Sequence, residues 1–140
     1  MNDKIKLSLP SQMRYLGVPD AVLMEIGSDL ECRQQSLEEL GTSVIEACTN
    51  AMEHGNQLDE ATPIEVIFEV AELTITITVL DSGPGFDFEH WEPSAELMRE
   101  RGRGIQIMRE FCDEVSFARH ADGRFMIVLK KTLAPDDDDD

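Results

Sequence analysis

Apolar and polar positions change period several times along the chain, and each change marks an element. Residues 5–9, IKLSL, alternate and predict a strand. From Pro19 the spacing lengthens, and Val22, Leu23, Ile26 and Leu30 fall on one helical stripe. A second helix is expected from Ser36, an N-cap with Glu39 as its capping-box partner, to Gly55, in the place of a left-handed C-cap. Its apolar stripe is Leu37, Leu40, Val44, Cys48 and Ala51. IEVIFEV (64–70) and LTITITVL (73–80) are β-branched, alternating runs separated by Ala71 and Glu72. They predict an antiparallel hairpin, with a pair of turn residues poorly suited to a two-residue loop. DSGPGFD (81–87) breaks the chain, and a polar segment runs to Arg103. A helix over IQIMREFC (105–112) follows. VSFAR (115–119) and RFMIVLK (124–130) then close a hairpin around Ala121, Asp122 and Gly123. The order β-α-α-β-β-loop-α-β-β indicates an α+β fold, a two-layer sandwich with a mixed, mainly antiparallel sheet and helices on one face.

At 140 residues, without internal repeats, the chain reads as one domain over 1–134 and an acidic tail over 135–140. The net charge of −17 excludes a duplex-binding role, because such a protein needs a basic face to displace counterions. Five of those charges form the run Asp136 to Asp140, where like charges repel and disorder is expected. The remaining acidity suits a basic protein partner, and solubility explains it equally well. No apolar run approaches the roughly 20 residues that span a bilayer, and MNDKIKLSLP lacks the apolar segment of a secretory signal. Cys32, Cys48 and Cys112 are odd in number and outside any CxxC pairing. Buried, reduced thiols and a cytoplasmic location are expected from them.

Candidate chemistry sits in three places. In EACTNAMEHGN (46–56), Glu46, Asn50 and His54 recur every four residues. Glu46 and Asn50 lie about 40° apart, roughly opposite the apolar stripe, so periodicity alone assigns them to a solvated helix face. His54 suits a helix end, where the negative end of the dipole stabilises it. In DSGPGFD, an aspartate closing a strand can accept a hydrogen bond from an exocyclic amine such as adenine offers. Gly83 and Gly85 would let the backbone pass beneath a flat ring. In RGRGIQIM (101–108), Gly102 and Gly104 precede a helix beside Arg99, Arg101 and Arg103. Helix N–H groups and positive charge together favour a polyphosphate. Each motif alone is common; all three in this order are not.

In that order the motifs resemble those of the GHKL ATP-binding (Bergerat) fold, and within it the anti-sigma-factor serine/threonine kinases. EACTNAMEHGN looks like their N-box, DSGPGFD like the first glycine box and RGRGIQIM like the second. MREFCDEVSF and the final VLKK resemble the family's C-terminal segments, so the likeness covers residues 4 to 132. The resemblance implies ATP and Mg²⁺ as ligands. Asn50 would hold the metal against the phosphates, a hard ion suited to an amide oxygen. Glu46 would be the general base toward a serine or threonine hydroxyl. Asp81, with Gly83 and Gly85, would take the adenine. Arg101, Gly102, Arg103 and Gly104 would meet the phosphates.

The resemblance also implies partner switching between a sigma factor and an anti-anti-sigma (STAS-like) protein, with a homodimer formed through the first strand and its neighbouring helix. The chain departs from the family in three respects. Ser94 is the sole hydroxyl between Phe86 and Arg103. The arginine before the second glycine box is displaced, leaving Arg99 or Arg101 to meet the γ-phosphate. Phe125 and Met126 stand near where a pair of threonines would support the adenine aspartate. A non-catalytic ATP-binding module acting by sequestration is therefore the alternative. A histidine kinase is disfavoured, as no segment forms a dimerisation bundle with a phospho-accepting histidine.

Overall fold

The computed structural model describes residues 2–84 and 103–136. β1 (Asn2–Leu9) leads through a short 3₁₀ turn to α1 (Gly17–Ser28) and α2 (Gln34–Thr49). The backbone then widens into a π-helical turn, Asn50–Gly55. β2 (Ile64–Ala71), β3 (Thr74–Asp81), α3 (Arg103–Phe111), β4 (Glu114–Arg119) and β5 (Phe125–Thr132) follow. The sheet order is β1-β2-β3-β5-β4, and every pairing is antiparallel. The expected mixed character is therefore not found among the described strands. Hairpins join β2 to β3 and β4 to β5, and such connections produce antiparallel neighbours.

Opposed residues share a face, so register defines the inner surface. Val66 and Val79, Phe68 and Ile77, and Val70 and Ile75 pair across β2 and β3. Ile127 and Leu129 extend that surface on β5. All are buried, together with Leu37, Leu40, Val44, Cys48, Ala51 and Met52 from the helical layer and Ile105 and Met108 from α3. The stripe expected on the second helix is the one that packs. Met52 and Met108 fill core, as their flexible thioethers suit. Burial pushes the Cys48 thiol up to about 12 and raises those of Cys32 and Cys112. All three cysteines are free, but Cys32 is only half-buried, beside the bridge it forms with Pro135.

Several boundaries differ from the expected ones. α2 starts at Gln34, with Arg33 at the cap. Ser36 therefore lies inside the helix, and its Oγ accepts the Ala134 N–H at 3.0 Å instead of forming a capping box. Gly55 is not left-handed; Gln57 and Leu58 are, at φ 52° and 58°. The first hairpin turns on Glu72 and Leu73, because Ala71 still pairs with Thr74 and Glu72 takes the left-handed conformation. α3 begins by Arg103, which puts Gly104 inside the helix. At the other end of the chain, Arg33 donates to Ala134 and Asp136 donates to Glu31, so the start of the expected tail is tied to the α1–α2 loop.

Phe68 lies at the centre of the sheet and is fully buried, whereas Ile5 on β1 is 40% exposed. Phe68→Ala should cost about 3–5 kcal/mol, through lost transfer energy and the cavity left behind. Ile5→Ala should change monomer stability little. Urea denaturation of both variants checks the contrast.

Candidate functional site

The site is assembled where the helical layer meets the C-terminal end of β3. Glu46 lies half-buried in the last turn of α2, and Asn50, buried, opens the π turn. Neither is on a solvated face, because α3 packs against α2 on that side. The contact is intimate. A Cβ built on Gly104 would fall 2.8 Å from Glu46 Oε2 and 3.6 Å from Asn50 Nδ2. The missing side chain thus allows the first described turn of α3, with the positive end of its dipole, to approach a carboxylate and a carboxamide. Arg103, the first described residue of that turn, is exposed.

Asp81 terminates β3 and is 3% exposed. Its Oδ1 accepts the Gly83 N–H at 2.8 Å, folding the chain back upon the carboxylate. A Cβ on Gly55 would sit 2.5 Å from that oxygen, and a Cβ on Gly83 would overlap the Gly55 carbonyl. The space beside each glycine is therefore taken up by the other motif. Gly55 serves close approach, not the C-cap conformation expected for it. Gly83 meets the Gly55 backbone on the side where a substituent would project.

Two further residues hold this turn, and sequence reasoning passed over both. Asn56 is buried; its Oδ1 accepts the Ser82 N–H at 2.8 Å, and its Nδ2 faces Ser11 Oγ, Thr62 O and Pro63 O. Arg119 on β4 donates to the carbonyls of Gly83 and Pro84. Its guanidinium lies 5.4 Å from the centroid of Phe125, which is itself stacked on Phe117. Asn56 carried a sequence signal as a polar residue directly after Gly55. Arg119 carried none, since only the β4–β5 register brings it beside the turn.

Of the expected site residues, Glu46, Asn50 and Gly104 come together at one end of the π turn, and Asp81 and Gly83 come together with Gly55 at its other end. Gly85, Arg101 and Gly102 lie outside the described residues, as do Arg99, Ser94 and Phe86. His54 is partly exposed, with Glu53 3.9 Å away, and Phe125 stands directly opposite Asp81 on β5. Among the described residues, no group of three or more His, Cys, Asp and Glu could hold a metal ion, and no helix is long and apolar enough to cross a membrane.

A five-stranded antiparallel sheet under a helical layer, with polar helix residues and a buried strand-ending aspartate meeting at one end, defines a two-layer α+β domain with a polar site at that end. The chain belongs to the histidine kinase-like ATPase domain family, which matches residues 9–131. It is similar to the serine-protein kinase RsbW of Bacillus subtilis (strain 168), at 30% identity over 128 residues, 85% of this chain and 80% of that one. RsbW of Listeria monocytogenes is also 30% identical, over 95% of this chain and 89% of the relative. Among solved structures, the RsbU and RsbW domains of a Mycobacterium tuberculosis protein share the fold, with a TM-score of 0.63 at 15% identity. That likeness covers 96% of this chain, which spans about a third (34%) of the longer mycobacterial one.

Gly83→Ala should destabilise the fold by about 1–3 kcal/mol, because the new methyl group overlaps backbone that cannot move aside. At Gly17 a Cβ meets nothing within 4 Å, and Gly17→Ala should stay within about 0.5 kcal/mol of the wild type. Thermal unfolding of the pair measures the difference.

Proposed function

We propose that the chain is an ATP-dependent serine/threonine protein kinase that also acts as an anti-sigma factor. Sequestering a sigma factor in one state, it would exchange that partner for an anti-anti-sigma protein, its phosphorylation substrate. The observation that carries the proposal is the approach of Gly104 to Glu46 and Asn50, which joins the second glycine box to the N-box. Similarity to relatives named serine-protein kinase supports the reaction type.

The residues fit a Mg·ATP ligand. Asn50 offers a neutral oxygen donor beside the Glu46 carboxylate, and both suit Mg²⁺, a hard ion that keeps waters and borrows phosphate oxygens. When bound, Mg·ATP supplies the transferable γ-phosphoryl group. The chain supplies position and charge. Asp81 accepts from the adenine amine, at a depth fixed by Gly55 and Gly83. Glu46 would take the proton from the incoming hydroxyl as its oxygen bonds to the γ-phosphorus and the bond from that phosphorus to the β-phosphate oxygen breaks, with ADP as the leaving group. The first turn of α3 would offer N–H donors to phosphate oxygens. Gly85, Arg101, Gly102 and Arg103 join the proposal as phosphate and purine neighbours on resemblance.

Phosphate added to the substrate protein would bring charge to its docking surface and release it. Nucleic acid and membrane have no part in this scheme, and the location is cytoplasmic. An ATP-binding module without phosphotransfer is the alternative that Phe125 favours, since an apolar ring opposite Asp81 offers no hydroxyl to the site.

With ATP, Mg²⁺ and a STAS-like substrate protein, Glu46→Gln should lower phosphate transfer by about 10²-fold or more while ATP affinity holds. Asn50→Ala should remove the Mg²⁺-dependent part of that affinity. Calorimetry and radiolabel transfer check both. Transfer at the wild-type rate by Glu46→Gln removes the base from the scheme, and saturable ATP binding without transfer to any partner favours the sequestration module.

The proposed homodimer uses β1, an edge strand whose Ile5 lies beside Ile26, Leu30 and Val70 in a groove against α1. Sedimentation over a concentration series should show association of the wild type and a monomer for Ile5→Lys. A wild type that stays monomeric rules the edge out as an interface.

A further inference from the structure

We propose that Asn56 and Arg119 are positioning residues that clamp the turn Asp81–Pro84 from two separate elements and so set the discrimination of the site for adenine. The inference rests on the ATP-binding reading above and goes beyond it, since neither residue touches the nucleotide in that scheme.

Asp81 does not hold its carboxylate in place alone. Its Oδ1 is bound by the N–H of Gly83, two residues on, so the carboxylate goes where that turn goes. Each of the next three residues is fixed by an outside group. Ser82 donates its N–H to Asn56 Oδ1 at 2.8 Å. Gly83 accepts from Arg119 Nη1 at 3.2 Å, and Pro84 accepts from Arg119 Nη2. The two anchors come from unrelated elements, the loop leaving the π turn and the edge strand β4. A shift of the turn relative to either element therefore breaks a hydrogen bond.

Asn56 is itself held firmly enough to act as an anchor. Its Nδ2 lies 3.1 Å from Ser11 Oγ, 2.9 Å from Thr62 O and 3.2 Å from Pro63 O, and Ser11 Oγ donates to Thr62 O at 2.6 Å. The carboxamide thus ties the segments before α1 and before β2 to the aspartate turn. The backbone beyond it adopts conformations that non-glycine residues avoid, with Gln57 and Leu58 both left-handed. Leu58 is kept there by its N–H to Met52 O at 2.8 Å. Strained backbone persists where surrounding bonds over-determine it, and here it fixes where Asn56 sits. Arg119 is steadied by the face of Phe125 and a 3.4 Å contact with Gly123 O.

A carboxylate that reads an exocyclic amine discriminates only if it is placed to accept that hydrogen bond. Loosening the turn should therefore weaken ATP, which carries the amine, more than ITP, which carries a carbonyl in its place. A role in folding alone would weaken both equally. The experiment is calorimetric titration of full-length wild type, Asp81→Asn, Asn56→Ala and Arg119→Gln with ATP and with ITP, each with Mg²⁺. Wild type should prefer ATP, and Asp81→Asn should abolish the preference. Asn56→Ala should lower ATP affinity about tenfold, the worth of one lost hydrogen bond, with ITP affinity nearly unchanged. Arg119→Gln should act in the same direction.

Arg119 is exposed, so its variant keeps the test decisive if Asn56→Ala does not fold. An ATP-to-ITP ratio at the wild-type value in the variants that fold overturns the clamp. A wild type that binds neither nucleotide, or an Asp81→Asn protein that still prefers ATP, overturns instead the reading of the site on which the clamp rests.

Discussion

The seating of the Asp81 carboxylate between two glycines is the contact on which the rest of the site depends. A buried carboxylate must have hydrogen-bond partners, and one is the N–H of Gly83, two residues further along the same turn. The turn can reach that position only because Gly55 presents bare backbone to Asp81 and Gly83 presents bare backbone to Gly55. The end of a strand is thereby fused to the end of a helix. Since Asn50 and Gly55 are the two ends of one π turn, the same contact sets the distance between the amide at one end of the site and the carboxylate at the other.

Most of the fold was legible because most of it follows from period. The alternating runs became strands, and the stripe from Leu37 to Ala51 became the buried face of α2. What period misjudged was Glu46 and Asn50. A wheel of about 100° per residue puts them away from the core, which is correct for a helix lying alone on a sheet. Here a second helix covers that side, and Gly104 removes the one side chain that would have kept it away. The second cause is the change to π spacing at Asn50, often found at functional sites, which no propensity at those residues announces.

The turn chemistry was less legible for a related reason. A glycine at a helix end suggests a left-handed cap, whereas Gly55 serves by its absence of side chain, facing a residue 26 positions away. Ser36 followed by Glu39 has the composition of a capping box, but Ser36 is consumed by the backbone of Ala134 near the other end of the chain. Local rules fail at these points because a distant segment makes a better offer to the same polar atom. Arg119 is the limiting example: its partners are the carbonyls of Gly83 and Pro84, and a backbone carbonyl leaves no trace in a sequence.

The acidity of the chain bears on the same site. At −17 the protein as a whole repels a polyphosphate, yet that repulsion comes from charges spread over the surface and is screened beyond roughly 8 Å at physiological ionic strength. Affinity for an anion is decided within that radius. Close to Glu46 and Asn50 the fold brings the amino-terminal end of α3, whose first turn holds no acidic residue. In the proposed scheme that carboxylate would act as the base, and an anion bound beside it would be compensated by helix N–H groups and by a cation at Asn50. A metal would thus serve charge balance in the proposed site, apart from any part it has in the chemistry, because a phosphate beside a carboxylate is more favourable with a cation between them.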